Sequence, residues 1–240
     1  MEKENEKFTE NLENQVNEEI DLEIPEVNLP DYVLEVKDLY KSYGKKQVLK
    51  GLNLQVKKGE VFGFIGKNGI GKSTTIDCIV GLKDYDSGEI LVLGKDVKTQ
   101  SLEVKEQIGY VPSEPVTYES MTGNEYLQFI GSSYGMIQSS FNKNYNFLLK
   151  KFGMNVIDMN RKIKEYSHGM KQKICLMASL IHNPKVWILD EPTVGLDIIV
   201  YEVLLKMIKD FAAFGKTVFV TSHNIELVSK VCDRVAIIND

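Results

Sequence analysis

Gly66-Lys67-Asn68-Gly69-Ile70-Gly71-Lys72-Ser73-Thr74 decides how this chain is read. The apolar run Val61 to Ile65 before it reads as a strand, and Ser73 to Leu82 after it reads as the start of a helix. Four residues between Gly66 and Gly71-Lys72-Ser73 fit the phosphate-binding loop pattern. Gly66, Gly69 and Gly71 permit backbone angles that a side chain blocks. The loop can then aim several N–H groups at one point. With the positive end of the following helix, this makes an anion cradle. In this pattern Lys72 reaches the β- and γ-phosphates and the Ser73 hydroxyl ligates Mg²⁺. Thr74 assists at the α-phosphate.

Working outward, strands and helices alternate. Val33-Leu34-Glu35-Val36 reads as a first strand, Lys41 to Gly44 as a turn, and Val48 to Val56 as a second strand. Glu89 to Leu93 and Ile108 to Val111 read as further strands, the latter stopped by Pro112. Thr122 to Lys164 reads as helical, with breaks at Gly131, Gly135 and Gly153. Its aromatics (Tyr126, Phe129, Tyr134, Phe141, Tyr145, Phe147, Phe152) read as a small separate core. Ser167 reads as the N-cap of a helix carrying Ile174, Met177, Ala178 and Ile181. Val186-Trp187-Ile188-Leu189 is a continuous apolar run that fits a strand buried on both faces. Val200 to Phe211 steps at helical spacing and ends at Gly215. Thr217 to Thr221 is a strand, Asn224 to Val231 a helix, and Val235 to Ile238 a last strand. This alternation implies a largely parallel sheet.

Charge is uneven. Residues 1–31 hold 11 acidic and 2 basic side chains, whereas the other 209 hold 23 acidic and 27 basic. The first segment reads as a disordered acidic tail, although Leu12, Val16, Ile20 and Leu22 also allow a short amphipathic helix. The mild positive balance of the body suits a polyphosphate and lacks the concentrated basic face of a DNA binder. Cys78, Cys175 and Cys232 are far apart without metal-ligand spacing, so they read as buried apolar residues in a reducing compartment. No secretion signal and no run of about 18 apolar residues is present.

Asp190 and Glu191 follow the buried apolar run. The carboxyl end of a parallel strand is where α/β sheets bind ligands. One carboxylate there can hold Mg²⁺, and its neighbour can polarise a water.

Together these motifs resemble the nucleotide-binding domain of ATP-binding cassette (ABC) proteins, from about Val33 to Asp240. The resemblance rests on GKNGIGKST, on VWILDEP, and on a signature-like YSHGMKQ at Tyr166–Gln172. It rests also on Val194-Gly195-Leu196-Asp197, Thr221-Ser222-His223 and the aromatic Tyr43. It implies an α/β P-loop NTPase of the ABC type, with a mainly parallel sheet, an antiparallel β part and a helical subdomain at about 115–165. In this likeness residues 1–31 are a tail and 32–240 the ATPase domain. The likeness assigns roles. Tyr43 stacks on adenine, and Gly66, Asn68, Gly69, Gly71, Lys72, Ser73 and Thr74 hold the ATP phosphates. Ser73 and Asp190 bind Mg²⁺, Glu191 is the catalytic base, and His223 contacts the γ-phosphate. Ser167 and Gly169 bind ATP held by a second ATP-binding domain, and Asp197 lies at that dimer seam.

Three departures stand out. Ser113 occupies the usual glutamine position, and a serine is too short to place an amide on Mg²⁺. His168 and Met170 replace the glycine and glutamine of the common LSGGQ signature. The chain ends just after a strand, where family members usually continue through a further hairpin.

The stretch IGYVPSEPVTYESMTGNEYLQF looks like the ATPase subunits of bacterial exporters with a separate permease. That likeness implies ATP hydrolysis driving export at the cytoplasmic face of the membrane, with an integral membrane permease as partner. The alternative is a soluble ABC ATPase acting on ribosomes or DNA. Against it, the chain holds one such domain, and Lys72 and Ser167 stand only 95 positions apart with no heptad array between them. A phosphate-loop kinase or GTPase would need neither the signature nor His223.

Overall fold

The computed structural model describes residues 30–239. The acidic-tail reading covers residues 1–31, of which 1–29 lie outside the described ones. The rest forms two compact units, one made of Glu114–Asn183 and Thr193–Asp210, the other of the described residues up to Ser113, Pro184–Pro192 and Phe211 onward.

The second unit contains two sheets. The antiparallel one has the order β2-β1-β4-β5, built from β1 (Tyr32–Tyr43), β2 (Lys46–Lys57), β4 (Ser87–Val92) and β5 (Lys95–Asp96). β1 and β2 are longer than their apolar cores suggest, because the hairpin pairs out to Tyr43 and Lys46. Gly44, at φ 58°, supplies the positive φ that its two-residue loop needs. A bulge between Val36 and Leu39 puts Asp38 at φ 46°. Asn53 holds it there, accepting from the Asp38 N–H at 3.0 Å and donating to its carboxylate at 2.9 Å. β4 passes this bulge so closely that a Cβ on Gly88 would sit 2.5 Å from the Asp38 carbonyl oxygen. The strand β5 has no apolar pattern. Its two polar residues pair because Leu93 and Gly94 make a two-residue turn with positive φ at both positions.

The parallel sheet has the order β6-β7-β8-β3-β9. Its strands are β3 (Val61–Ile65), β6 (Ile108–Val111), β7 (Val186–Asp190), β8 (Thr217–Ser222) and β9 (Arg234–Ile237). Every residue of β7 and β8 is buried, as expected for strands covered on both faces. Phe62 and Phe219 stack at 5.7 Å across neighbouring strands. The helices of this unit are α1 (Lys72–Ile79), α2 (Ser101–Lys105) and α8 (Ile225–Val231), the last capped by the Asn224 side chain.

The other unit is helical, with α3 (Gly123–Ser133), α4 (Gln138–Lys151), α5 (Val156–Met159) and α6 (His168–Leu180). It also contains most of α7 (Ile198–Ala213). Thr122 and Glu125 form a reciprocal capping box at the start of α3. Gly131 does not break this helix. It lies inside α3 because a Cβ there would meet the Phe141 ring at 2.7 Å, so the glycine lets two helices approach. Gly135 (φ 66°) and Gly153 (φ 59°) do follow helix ends. Of the seven aromatics, Tyr126, Phe141 and Phe152 are buried, while Phe129 and Tyr134 reach the surface. Tyr118 meets Tyr126 and Phe129 edge-on, at 6.2 and 5.5 Å.

Candidate active site

Parallel register brings three segments to one sheet edge. Ile65, the last residue of β3, pairs with Ser222 of β8, and Thr221 of β8 pairs with Asp190 of β7. The loop after β3, the carboxylates after β7 and the residues after β8 therefore emerge side by side.

The loop after β3 has no room for side chains at two of its glycines. A Cβ on Gly66 would lie 2.5 Å from Ile238 Cγ2, and one on Gly71 would lie 2.9 Å from Leu49 Cδ2. Gly69 and Gly71 take φ of 79° and 121°. Among the described residues, the N–H groups of Gly69, Gly71, Lys72, Ser73 and Thr74 have no acceptor, whereas Ile70 N–H bonds to the Lys67 carbonyl. Thr75, buried, donates its hydroxyl to the Gly71 carbonyl at 2.9 Å and ties the loop to α1. Lys72 is 6% exposed. Its Nζ donates to the carbonyls of Gly66 at 2.7 Å and Lys67 at 3.4 Å, and lies 3.8 Å from Glu191 Oε1. Asn68 and Ser73 are exposed and Thr74 is half-buried.

Asp190 is buried and accepts a hydrogen bond from the Thr221 hydroxyl. Glu191 stands in the left-handed region at φ 48°, costing about 1 kcal/mol or more for a residue with a Cβ. Three contacts hold it there. Its N–H donates to the Thr221 carbonyl at 3.1 Å. Its Oε2 accepts from the Ser222 hydroxyl at 3.2 Å and the His223 N–H at 3.3 Å. His223 Nδ1 lies 3.0 Å from the same oxygen. Glu191 Oε1 is buried and accepts no hydrogen bond.

Tyr110 of β6 is close enough to Asp190 and Asp77 to sense both. Burial, then those two charges, pushes its phenol above the ordinary tyrosine range. Ser113 is half-buried just beyond β6. Tyr43 ends β1 and is 44% exposed.

In the helical unit, the Ser167 side chain caps α6, accepting from the Met170 N–H at 3.2 Å. The start of α6 interlocks with the loop before α7. A Cβ on Gly169 would meet the Gly195 carbonyl at 2.9 Å, and one on Gly195 would meet His168 Cδ2 at 2.2 Å. Asp197 accepts from the Val200 N–H at 2.9 Å and pairs with Lys173 Nζ at 3.3 Å. Partial burial works against its charge, but those partners prevail and hold its carboxyl below the usual range.

Two kinds of observation in the two-sheet unit bear on a bound polyphosphate and its cation. A row of loop N–H groups has no acceptor, and one buried carboxylate oxygen has no donor. Both fit an anionic ligand with a bound water or cation beside it. No cluster of three or more His, Cys, Asp or Glu that could cage a metal exists among the described residues. Sequence reasoning missed Thr75, Thr221 and Ser222 as supports, and Lys173 as the partner of Asp197. The signal for Thr221 and Ser222 was present: two hydroxyls directly follow the apolar run Val218 to Val220.

The ABC transporter family model matches residues 49–194. The chain is 40% identical over 207 residues to a linearmycin resistance ATP-binding protein of Bacillus subtilis (strain 168), covering 86% of this chain and 66% of that protein. It is 35% identical over 206 residues to a lantibiotic transport ATP-binding protein of Streptococcus pyogenes, covering 86% of each. Among solved structures it is similar to the ATP-binding subunit of an ABC transporter, with TM-score 0.82 and 31% identity over 86% of each chain. It is also similar to a dimeric ATP-binding cassette in a post-hydrolysis state with ADP and phosphate, with TM-score 0.77 and 25% identity over 86% of this chain and 94% of that one.

Proposed function

The chain belongs to the ABC transporter family of ATP-binding proteins, and from that membership we propose that its ATP hydrolysis drives export through a separate membrane permease. ATP binding and hydrolysis come with the family. Export rests on the named relatives, one a linearmycin resistance and one a lantibiotic transport ATP-binding protein. No helix among the described residues is long and apolar enough to cross a membrane. The reading of a separate permease as partner puts the protein at the cytoplasmic face of the membrane.

The observation that carries the hydrolytic reading is the asymmetry of Glu191. Oε2 is fixed by Ser222 and His223, while Oε1 is buried without a donor. A carboxylate oriented by one oxygen can take a proton from water with the other. Lys72 spends its hydrogen bonds on two loop carbonyls and exchanges them for phosphate oxygens. The unpaired N–H groups from Gly69 to Thr74 bind the same phosphates together with Gly66 and Asn68. Ser73 and Asp190 would hold Mg²⁺, which neutralises charge on the transferring phosphoryl group when bound. Tyr43 receives the adenine ring, and His223 the γ-phosphate. In a dimer, Ser167 and Gly169 of one copy close over ATP held by the other, with Asp197 at the seam, because a capped helix start attracts an anion.

Phosphate release from the purified chain, alone and with its membrane partner, tests this. Glu191→Gln is expected to lower the rate by about 10²- to 10⁴-fold, and an unchanged rate refutes the assignment. Purification from a detergent extract is expected to bring an integral membrane protein. Ribosomes or DNA in its place would favour the soluble alternative.

A further inference from the structure

Tyr43 is flanked by two cations. Lys41 Nζ lies 5.1 Å and Lys83 Nζ 5.7 Å from its ring centroid, within the reach of cation–π attraction. The two are anchored differently. Lys83 Nζ lies 2.8 Å from Asp77 Oδ2, and the Lys83 N–H also donates to the Asp77 carbonyl at 3.1 Å. That side-chain bond to Asp77, the largest influence, holds the Lys83 ammonium above its ordinary pKa, and contact with Tyr43 adds to it. Asp77 sits on α1, the helix that begins with Lys72. Lys41 has no carboxylate at ion-pair distance among the described residues.

We propose that Lys83 is a positioning residue: held by Asp77 on the phosphate-loop helix, it fixes the Tyr43 ring, so that the base platform and the phosphate cradle keep one separation. This rests on the reading of Tyr43 as the surface that receives the base. A triphosphate binds the cradle without touching Tyr43, whereas ATP uses both. The tether therefore acts on the ratio of the two affinities.

The test is calorimetric binding of ATP and of inorganic triphosphate to the full chain. Lys83→Met is expected to weaken ATP by about threefold to tenfold and to leave triphosphate unchanged, which also shows that the cradle is folded. Asp77→Asn is expected to follow it. Lys83→Arg, which can still pair with Asp77 and lie over the ring, is expected to restore the ratio to within about twofold. Lys41→Met removes the same charge without the tether and is expected to change the ratio less. Equal weakening of both ligands in Lys83→Met overturns the proposal. So does an equal ratio change in Lys41→Met, which would mean that only net charge matters. Tyr43→Ala separates the two readings: an unaltered ratio there removes the base platform itself, whereas an altered ratio there with none in Lys83→Met removes the tether alone.

Discussion

Thr221→Val isolates the support beneath the two carboxylates. The substitution keeps the shape of a fully buried side chain and deletes one hydroxyl. That hydroxyl donates to the Asp190 carboxylate and lies 3.3 Å from the Glu191 N–H. The N–H keeps its bond to the Thr221 carbonyl at 3.1 Å, so the loss concentrates on Asp190, which is 1% exposed and cannot turn to water. A hydrogen bond to a buried charge is worth about 1.5–3 kcal/mol. For a domain of this size each kcal/mol shifts Tm by about 2–4 °C, so a thermal melt should fall by about 3–12 °C. With Asp190 released from its rotamer, phosphate release should fall by about tenfold to a hundredfold. Thr221→Ser retains the donor and should keep the activity, losing only the small packing contribution of a methyl group. A Thr221→Val protein that melts and turns over like the parent would refute the claim that this hydroxyl orients the site.

Other substitutions test other features. Gly71→Ala places a Cβ 2.9 Å from Leu49 Cδ2 at a φ of 121°; ATP binding should be lost and stability lowered by about 1–3 kcal/mol, measured by calorimetry and denaturant titration. Ser167→Ala removes the cap on α6; about 1 kcal/mol of stability should go, and hydrolysis should fall further than the small Tm change explains. Gly131→Ala drives a methyl into the Phe141 ring and should cost about 1–3 kcal/mol in a urea melt. Burial lowers the Lys216 pKa to about 8. Between that value and the unfolded value of about 10.4 the unfolded chain binds more protons, so stability gains from this lysine as pH rises from about 8 to 10.4. The stability difference between wild type and Lys216→Met should shift in favour of wild type over that window, and a flat difference would contradict it.

The parallel layer was readable because burial on both faces demands unbroken apolar runs, as in Val186 to Leu189, and because the phosphate loop ties one strand to one helix. The polar pair Lys95–Asp96 left no trace, since a turn with two positive φ angles forms that strand and its own side chains do not. Gly131 misled because glycine serves both helix ends and tight helix contacts, and only the position of Phe141 tells them apart. Within the site, loop and carboxylates announced themselves by spacing. Thr75 and Lys83 did not, because a hydroxyl or an ammonium becomes a support only through a partner that folding brings near.

Glu191 occupies a backbone conformation that glycine or asparagine accepts with less strain. Natural drift toward thermal robustness would favour those residues here, and each would silence the machine. The position thus marks a spot where durability and turnover pull in opposite directions. Stabilised descendants of this sequence should gain their extra degrees elsewhere and leave this one awkward residue untouched.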